Sequence, residues 1–314
     1  MAETASPIQA RGDHEKRVVA LSSLAAAVVL TSMKLAVGLT TGSLGILSEA
    51  AHSGLDLVAA AVTYFAVRAS ARPADSDHPY GHGKIENVSA LLETGLLLAT
   101  CVWIAYESVK RLFFEDVHVE ATVWSFVVMA VSIAIDVSRS RALARAARKY
   151  RSQALEADAL HFHTDIWSSS VVLAGLALVV TSARSGLPWL AKADAVAALG
   201  VAAIVVSVSM RLGKKSVDDL LDAVPQELSE AVATAARVAG VVEVARVRLR
   251  RSGPDWFADV TLRVDAGASF EEAHAVSHAA ERAILTVVPG ADVVVHADPV
   301  AKPGNDDGPA TARR

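Results

Sequence analysis

Cysteine is almost absent from the 314-residue chain, which contains a single one, Cys101. One cysteine excludes a disulfide within the chain and any cluster of metal-binding thiolates. Cys101 also lies inside an apolar run, where a free thiol behaves as a small hydrophobic side chain. A metal ion bound by this chain must therefore be held by histidine, aspartate or glutamate.

Charged residues are also scarce, at 20% of the chain, whereas hydrophobic residues make up 53%. Soluble domains have about 25% charged residues. The charges that are present are gathered between long apolar runs, which is typical of a membrane protein. The formal net charge of −4 argues against nucleic-acid binding, for which basic domains are typical. We expect no nucleic-acid partner and predict no partner protein of another kind.

Two features of other protein classes are missing. Residues 1–16, MAETASPIQARGDHEK, are polar and lack the apolar stretch of a cleavable signal peptide, so we expect a polar cytoplasmic tail there. The chain also has no HExxH motif, in which two histidines hold zinc and a glutamate acts as the base of a metalloprotease. We therefore expect that the chain is not an enzyme.

Six apolar segments are long enough to cross a bilayer, which takes about 20 mostly apolar residues in a helix. The predicted spans are Val18–Leu39, Leu44–Val67, Val88–Phe113, Ala121–Arg141, Ala157–Thr181 and Pro188–Leu212. The second and fifth also contain ionisable side chains. Residues 17–215 are therefore predicted to form an all-α transmembrane domain of six helices.

The basic residues between the spans predict the orientation of the chain. Lysine and arginine are concentrated before span 1, between spans 2 and 3, after span 6 and above all after span 4, in RSRALARAARKYR. The loop between spans 1 and 2 has neither residue. By the positive-inside rule both termini are cytoplasmic, and an even number of spans agrees. The Ala- and Val-rich sequence without a sorting segment favours a bacterial inner membrane.

The composition changes after Lys215, and residues 216–300 are predicted to form a small cytoplasmic α+β domain. Periodicity predicts the order helix, strand, strand, helix, strand, which is typical of a compact two-layer domain. The predicted elements are Pro225–Val238, Val241–Arg250, Trp256–Val264, Phe270–Val287 and Ala291–His296. Residues 301–314, rich in Pro, Gly and Asp, are predicted to be disordered.

Ionisable residues recur at one spacing in two of the spans. His52 and Asp56 in span 2 are four residues apart, as are His161 and Asp165 in span 5. Residues four apart lie on one helix face, one turn from each other. Facing each other, the two helices would supply two nitrogen and two oxygen ligands, which suits tetrahedral Zn²⁺ and, nearly as well, Co²⁺ or Fe²⁺.

These four residues, the intramembrane cluster, are costly to place in a bilayer. An ionisable residue in a span costs about 2.5–3.5 kcal/mol on insertion scales, and such residues usually mark an ion path. Simple hydration near the helix ends is the less favoured explanation. We therefore interpret the cluster as a metal site. Glu49, three residues before His52, could line the same cavity but is not predicted to be a ligand.

A second polar group, the loop cluster, follows span 2 in RPADSDHPYGHGK and consists of Asp75, His78 and His82. Pro79 and Gly81 between the histidines indicate a turn. Three such side chains can hold a metal ion together with a water molecule or a fourth ligand. A solvated polar loop is the alternative, and the residues alone do not decide between the two.

Taken in order, several segments resemble those of the cation diffusion facilitators. SLGILSEAAHSGLDL is similar to that family's second span, and HPYGHGKIE to the loop that follows it. EADALHFHTDIWSS is similar to its fifth span, and VVVHADP to the end of its cytoplasmic domain. The resemblance extends from the first span to Pro299.

This resemblance implies a homodimeric metal/proton antiporter with six transmembrane helices and a ferredoxin-like cytoplasmic domain. It implies that the intramembrane cluster is the transport site, and that a histidine and an aspartate on each helix favour zinc over manganese. It also matches the loop cluster with a metal site of the family. Lys84 and Asp222 match a salt bridge that, in relatives, joins the transmembrane and cytoplasmic parts.

The resemblance is weaker in the cytoplasmic domain. His274, His296 and Asp298 occupy positions that bind metal in some relatives. Ala245 and Thr261 stand where those relatives have further histidines. Asp259, on the same strand face as Thr261, or Trp256 nearby could supply a different arrangement. These five candidate ligands are His274, His296, Asp298, Asp259 and Trp256; surface positions without metal are the alternative.

The expected function is efflux of a divalent transition metal, most simply Zn²⁺, by proton-coupled antiport with alternating access. Metal is the substrate and a possible regulatory ion, and protons are the counter-ion. Transport of Fe²⁺, Co²⁺, Cd²⁺ or Ni²⁺ is the first alternative, because affinity order alone does not select among them. A membrane metal sensor that does not transport is the second.

Overall fold

The computed structural model describes residues 7–42, 44–113, 123–185 and 190–300. The chain divides into two compact units, one ending at Leu220 and the other beginning at Leu221. The segment 301–314, predicted to be disordered, lies outside the described residues.

Six long helices account for most of the described residues of the first unit. They are α1 Pro7–Thr41, α2 Leu44–Ser70, α3 Lys84–Phe113, α4 Val123–Tyr150, α5 Gln153–Ser185 and α6 Leu190–Leu220. Each predicted span falls largely within one of them. Over the described residues, three stretches have the length and hydropathy to cross a membrane: Arg11–Thr41, Glu49–Ser70 and Lys84–Tyr106. That all six helices cross it stays a prediction.

The segment expected to be a polar tail is helical from Pro7 onward. Lys16 explains the difference, because its side chain is buried and its Nζ lies 3.0 Å from Asp13 Oδ1 and 3.1 Å from Glu86 Oε1. A buried ammonium requires close partners of opposite charge. The ion pair with Glu86 anchors the polar beginning of α1 to the beginning of α3, and Asp13 supplies a second partner from α1 itself.

Small residues fill the core where α1, α2, α4 and α5 meet. Its buried members are Ala20, Ala27, Ala60, Val67, Leu143, Ala146, Ala147, Ala154, Leu155, Ala159 and Phe162. Small side chains allow helices in membranes to approach closely. The guanidinium of Arg139 lies over the ring of Phe162, 3.6 Å from its centroid. Because α2 and α5 pack together within this group, side chains on their inner faces can meet.

Over its described residues, which end at residue 300, the second unit has a three-stranded sheet with two helices. Its elements are α7 Gln226–Ala235, β1 Val241–Ser252, β2 Asp255–Val264, α8 Phe270–Val287 and β3 Asp292–Pro299. The order of elements confirms the prediction. The strand order is β1-β2-β3, with β1 antiparallel and β3 parallel to β2. Helix α8 supplies the crossover that parallel strands require.

Alternation along β2 separates a covered face of the sheet from an exposed one. Ala258, Val260 and Leu262 are buried in the core with Val232 of α7 and Ile284 of α8. The residues between them face away from this core, so the polar side chains of β2 lie on the opposite face.

Candidate metal site

The four residues of the intramembrane cluster come together in the structure. Nε2 of His161 lies 3.1 Å from Asp56 Oδ1 and 3.6 Å from Asp165 Oδ2. Nε2 of His52 lies 3.9 Å from Asp56 Oδ1 and 3.7 Å from Asp165 Oδ1. Ligand atoms of His52, Asp56 and Asp165 all lie within 4.8 Å of one another. Two nitrogen and two oxygen donors thus converge, as the spacing predicts.

The cluster is enclosed on one side and accessible on the other. The side chains of His161, Asp165 and Asp56 are only 4%, 10% and 12% exposed, whereas that of His52 is 35% exposed. Within the described residues, Oδ2 of Asp165 has no hydrogen-bond partner. A buried carboxylate oxygen without a donor is costly unless it meets a cation. The donor set and this oxygen therefore both suit a divalent cation.

Two further carboxylates near the cluster were not predicted as site residues. Oδ2 of Asp158 accepts a hydrogen bond from Ser23 Oγ at 3.3 Å, and Oε1 of Glu93 accepts from Thr63 and from Ser89. Both carboxylates are fully buried. Asp158 lies three residues before His161, so helical spacing signals that it faces nearly the same way. The sequence around Glu93 has no such spacing from a predicted site residue.

Arg139 connects this region to α4. Its guanidinium donates hydrogen bonds to Ser23 Oγ and to Asp136 Oδ1, the latter at 3.3 Å. Asp136 is therefore paired with an arginine rather than placed among the metal ligands. His163, between His161 and Asp165 of α5, is exposed, and its Nδ1 accepts a hydrogen bond from Trp167 Nε1 at 3.1 Å.

The loop cluster is also assembled. Oδ1 of Asp75 lies 3.2 Å from His78 Nδ1, and its Oδ2 lies 3.4 Å from His82 Nε2. The backbone N–H of His78 donates to Asp75 Oδ1 at 2.7 Å. This hydrogen bond, together with that of the Asp77 N–H, holds the pKa of Asp75 below its ordinary value. An ionised carboxylate beside two imidazoles can hold a divalent cation at the surface.

The five cytoplasmic candidates are more dispersed. Nε2 of His296 lies 2.8 Å from Asp298 Oδ1, whereas His274 stacks on Phe270 and meets the ring of His278, 4.4 Å away between centroids. Among the residues that the structure describes, the intramembrane and loop clusters alone bring three or more ligand atoms together. No such group includes a cytoplasmic candidate.

Asp259 and Trp256 lie on opposite faces of β2. Asp259 is exposed, with Oδ2 3.8 Å from Arg248 Nη2, and the next residue on its face, Thr261, pairs with His296 of β3. Trp256 packs against the core. An odd spacing along a strand reverses the side-chain direction, so Trp256 does not join Asp259 in one ligand set.

Lys84 and Asp222 belong to different units. Nζ of Lys84 lies 3.4 Å from the carbonyl oxygen of Leu220, and Asp222 has a φ of 58° in the turn after α6. The salt bridge between them stays a prediction.

Comparison with known proteins decides the family. The profile described as the cation efflux transmembrane domain matches residues 20–221. The profile described as the cation efflux protein cytoplasmic domain matches residues 223–300. The chain belongs to the cation efflux family, the cation diffusion facilitators. This cation efflux protein is therefore an integral membrane transporter and not an enzyme.

Similar proteins span nearly the whole of this cation efflux protein. The cation-efflux pump FieF of Pectobacterium carotovorum subsp. carotovorum strain PC1 is 32% identical over 309 residues, which are 95% of this chain and 99% of the relative. FieF of Yersinia enterocolitica is 31% identical over 291 residues, covering 91% and 93%. A solved structure of the MamM CTD is 29% identical and covers 24% of this chain and 96% of its own, with a TM-score of 0.23.

Proposed function

We propose that this protein exports Zn²⁺ in exchange for protons and that the intramembrane cluster is its transport site. The observation that carries the proposal is the meeting of two imidazole nitrogens and two carboxylates from α2 and α5, with Nε2 of His161 3.1 Å from Asp56 Oδ1. Four nitrogen and oxygen ligands are the number that tetrahedral zinc requires.

The same ligands supply a reason for proton coupling. Zinc binds neutral imidazole and ionised carboxylate, so zinc and protons compete for the cluster. When the cluster is open to the cytoplasm, Zn²⁺ displaces protons from it. When it is open to the other side, protons enter and displace Zn²⁺. An inward proton gradient then drives export of the metal.

The proposal includes the surroundings of the site. The protein is a homodimer in a bacterial inner membrane, with six spans, both termini in the cytoplasm and ferredoxin-like cytoplasmic domains. The loop cluster and the cytoplasmic candidates His274, His296, Asp298 and Asp259 bind metal for regulation rather than transport. Zn²⁺ is preferred because imidazole and carboxylate donors together suit it, while Fe²⁺, Co²⁺, Cd²⁺ and Ni²⁺ are competing substrates.

The test is metal movement in proteoliposomes with an imposed pH gradient. Zn²⁺, Fe²⁺, Co²⁺, Cd²⁺, Ni²⁺ and Mn²⁺ are compared in separate vesicles, with Asp56→Ala as the inactive variant. We expect Zn²⁺ to accumulate in the compartment that supplies the protons, and Asp56→Ala to abolish the movement. Transport that ignores the pH gradient would exclude antiport. Metal binding without flux would instead identify a membrane sensor.

A further inference from the structure

A buried ammonium lies beside the intramembrane cluster without belonging to it. Nζ of Lys34, on α1, donates to Ser53 Oγ at 2.7 Å and to Glu49 Oε2 at 3.3 Å. Its side chain is only 5% exposed. Ser53 follows the ligand His52 directly, and Glu49 lies one helical turn before it. Lys34 therefore places a fixed positive charge at one end of the cluster.

The position of this ion pair coincides with the accessible side of the cluster. The side chain of Glu49 is 34% exposed, close to the 35% of His52. Exposure then falls to 12% at Asp56, one turn further along α2. The opening thus lies at the amino-terminal end of α2. In the orientation predicted from the basic loops, this end faces away from the cytoplasm.

We propose that Lys34 and Glu49 form a charge gate at this opening, through which the exported divalent cation leaves the intramembrane cluster. Glu49 is the next carboxylate that a departing cation meets, and the cation displaces the Lys34 ammonium from it. The inference rests on the proposed transport site. It assigns Glu49 as a transient ligand and Lys34 as the residue that sets how strongly Glu49 attracts the cation.

The charges explain why both members are needed. An unpaired Glu49 would add a negative charge to a cluster that already has two carboxylates, and so would hold the cation too tightly for release. An unpaired Lys34 would repel the cation from the cluster. Lys34 is attracted electrostatically to Asp165 as well as to Glu49. Its ammonium can therefore shift toward Asp165 when a cation occupies Glu49. A salt bridge with two alternative partners can act as such a switch.

The alternative is a structural ion pair that only joins α1 to α2. The hydrogen bond from Thr31 Oγ1 to the Ser53 carbonyl, at 2.9 Å, already joins these helices at the same level. A structural role predicts that removing either charge lowers stability and changes cation affinity little. A gate predicts changes in affinity of opposite sign for the two removals.

The test measures Zn²⁺ binding to the full-length protein in nanodiscs by isothermal titration, counting the binding that Asp56→Ala removes. We expect Lys34→Gln to tighten this binding and Glu49→Gln to weaken it. Each change should be on the order of a hundredfold, the effect of a unit charge on a divalent cation about 10 Å away at an effective dielectric constant of about 20. The double variant should bind like the parent, and Lys34→Arg, which keeps the charge, should also do so. Lys34→Gln should in addition slow Zn²⁺ efflux from vesicles.

Three outcomes would overturn the gate. They are single variants that shift affinity in the same direction, single variants that shift it by less than about twofold against the hundredfold expected, and a Lys34→Arg variant that behaves like Lys34→Gln. If Lys34→Gln does not fold, Glu49→Gln and Glu49→Asp still distinguish a gate from a structural ion pair. Glu49→Gln removes the negative charge, whereas Glu49→Asp keeps it. Zinc binding that is the same with and without Asp56→Ala would overturn the transport site itself, a result that the Lys34 and Glu49 variants cannot produce.

Discussion

Nε2 of His161 and Oδ1 of Asp56 lie 3.1 Å apart although the two residues are 105 positions apart in the chain. This contact joins the His–Asp pair of α5 to that of α2, so the two pairs make one site rather than two. The imidazole nitrogens and carboxylate oxygens can then be treated as a single donor set, whose composition should determine which cation is carried.

A change of donor type should change the cation preference. His52→Asp replaces one imidazole by a third carboxylate, and oxygen donors suit Mn²⁺ whereas imidazole suits Zn²⁺. We expect the ratio of Mn²⁺ to Zn²⁺ efflux, measured in proteoliposomes, to rise by about tenfold, mainly through loss of Zn²⁺ transport. His163→Asp is the matched control, because it places the same substitution on an exposed face of α5. An unchanged ratio of Mn²⁺ to Zn²⁺ efflux in His52→Asp would show that His52 is not a ligand.

The intramembrane cluster was predictable because its information is local. Spacing of four within a helix fixes that His52 and Asp56 share a face whatever the tertiary structure. The same holds for the boundaries of most elements, which follow hydropathy and strand alternation. Strand alternation also implies that Trp256 and Asp259 lie on opposite faces, so that candidate pairing could have been rejected from the sequence.

The ion pairs between helices were not predictable in the same way. Lys16 meets Glu86, and Lys34 meets Glu49, only because of how α1 is rotated against its neighbours. That rotation depends on packing of small residues across the core, which no single segment encodes. The dispersion of His274 from His296 likewise depends on the path of α8 over the sheet. Sequence reasoning therefore predicted the residues of the intramembrane cluster better than the charges that surround them.

Two glycines in the cytoplasmic unit should differ in their tolerance of alanine. Gly240 has a φ of +92°, and a Cβ there would lie 2.5 Å from Val276 Cγ2, whereas Gly290 has a φ of +79° with nothing within 4 Å. Gly290→Ala should lower the free energy of unfolding by about 1–2 kcal/mol, because alanine disfavours the left-handed backbone conformation. Gly240→Ala should lower the free energy of unfolding by about 1–3 kcal/mol more than this, because the added Cβ overpacks against Val276.

Hydrogen exchange of β2 amides in the full-length protein measures both costs. Gly290→Ala is the matched control, since it has the same backbone strain without the contact. Equal losses of protection in the two variants would mean that Val276 yields without cost and that the close approach at Gly240 has no energetic consequence.

The charge of Asp75 should make its contribution to the loop cluster independent of pH. Its pKa lies below the ordinary 3.8 because the N–H of His78 donates to it. The carboxylate therefore stays ionised at every pH above 3.8 and is protonated only as the pH falls through its lowered value. We expect Asp75→Asn to weaken zinc binding at the loop cluster by about 100-fold, by the same factor at pH 5.5 as at pH 7.5.

Isothermal titration in the Asp56→Ala background measures this factor, because that change silences the intramembrane cluster. Asp77→Asn is the control, since Asp77 is a neighbouring carboxylate outside the ligand group. The weaker binding of all variants at pH 5.5 should come from protons on the histidines. A factor that shrinks on acidification would contradict the prediction that the contribution of Asp75 is independent of pH.

The amino terminus of α8 should be sensitive to acid through a single carboxylate. The backbone N–H of Glu272 donates to Ser269 Oγ at 3.2 Å, and the N–H of Ser269 donates to Glu272 Oε2 at 2.8 Å, which forms a capping box. The hydrogen bond from the Ser269 N–H lowers the pKa of Glu272 from its ordinary 4.5. The stabilisation by this carboxylate is thus complete above pH 4.5 and is lost as the pH falls through the lowered value.

Hydrogen-exchange protection of the first turn of α8, corrected for intrinsic rates, measures this dependence in the full-length protein. Ser269→Ala should lower protection at neutral pH by about 1 kcal/mol, the usual contribution of a serine cap. Glu272→Gln can still accept the Ser269 N–H, so it should keep most of the protection and abolish the acid-dependent loss. Glu271→Gln, which changes the adjacent carboxylate outside the capping box, should retain that loss. If Glu271→Gln abolished it instead, the acid sensitivity would arise from the charge of the first turn in general and not from the cap.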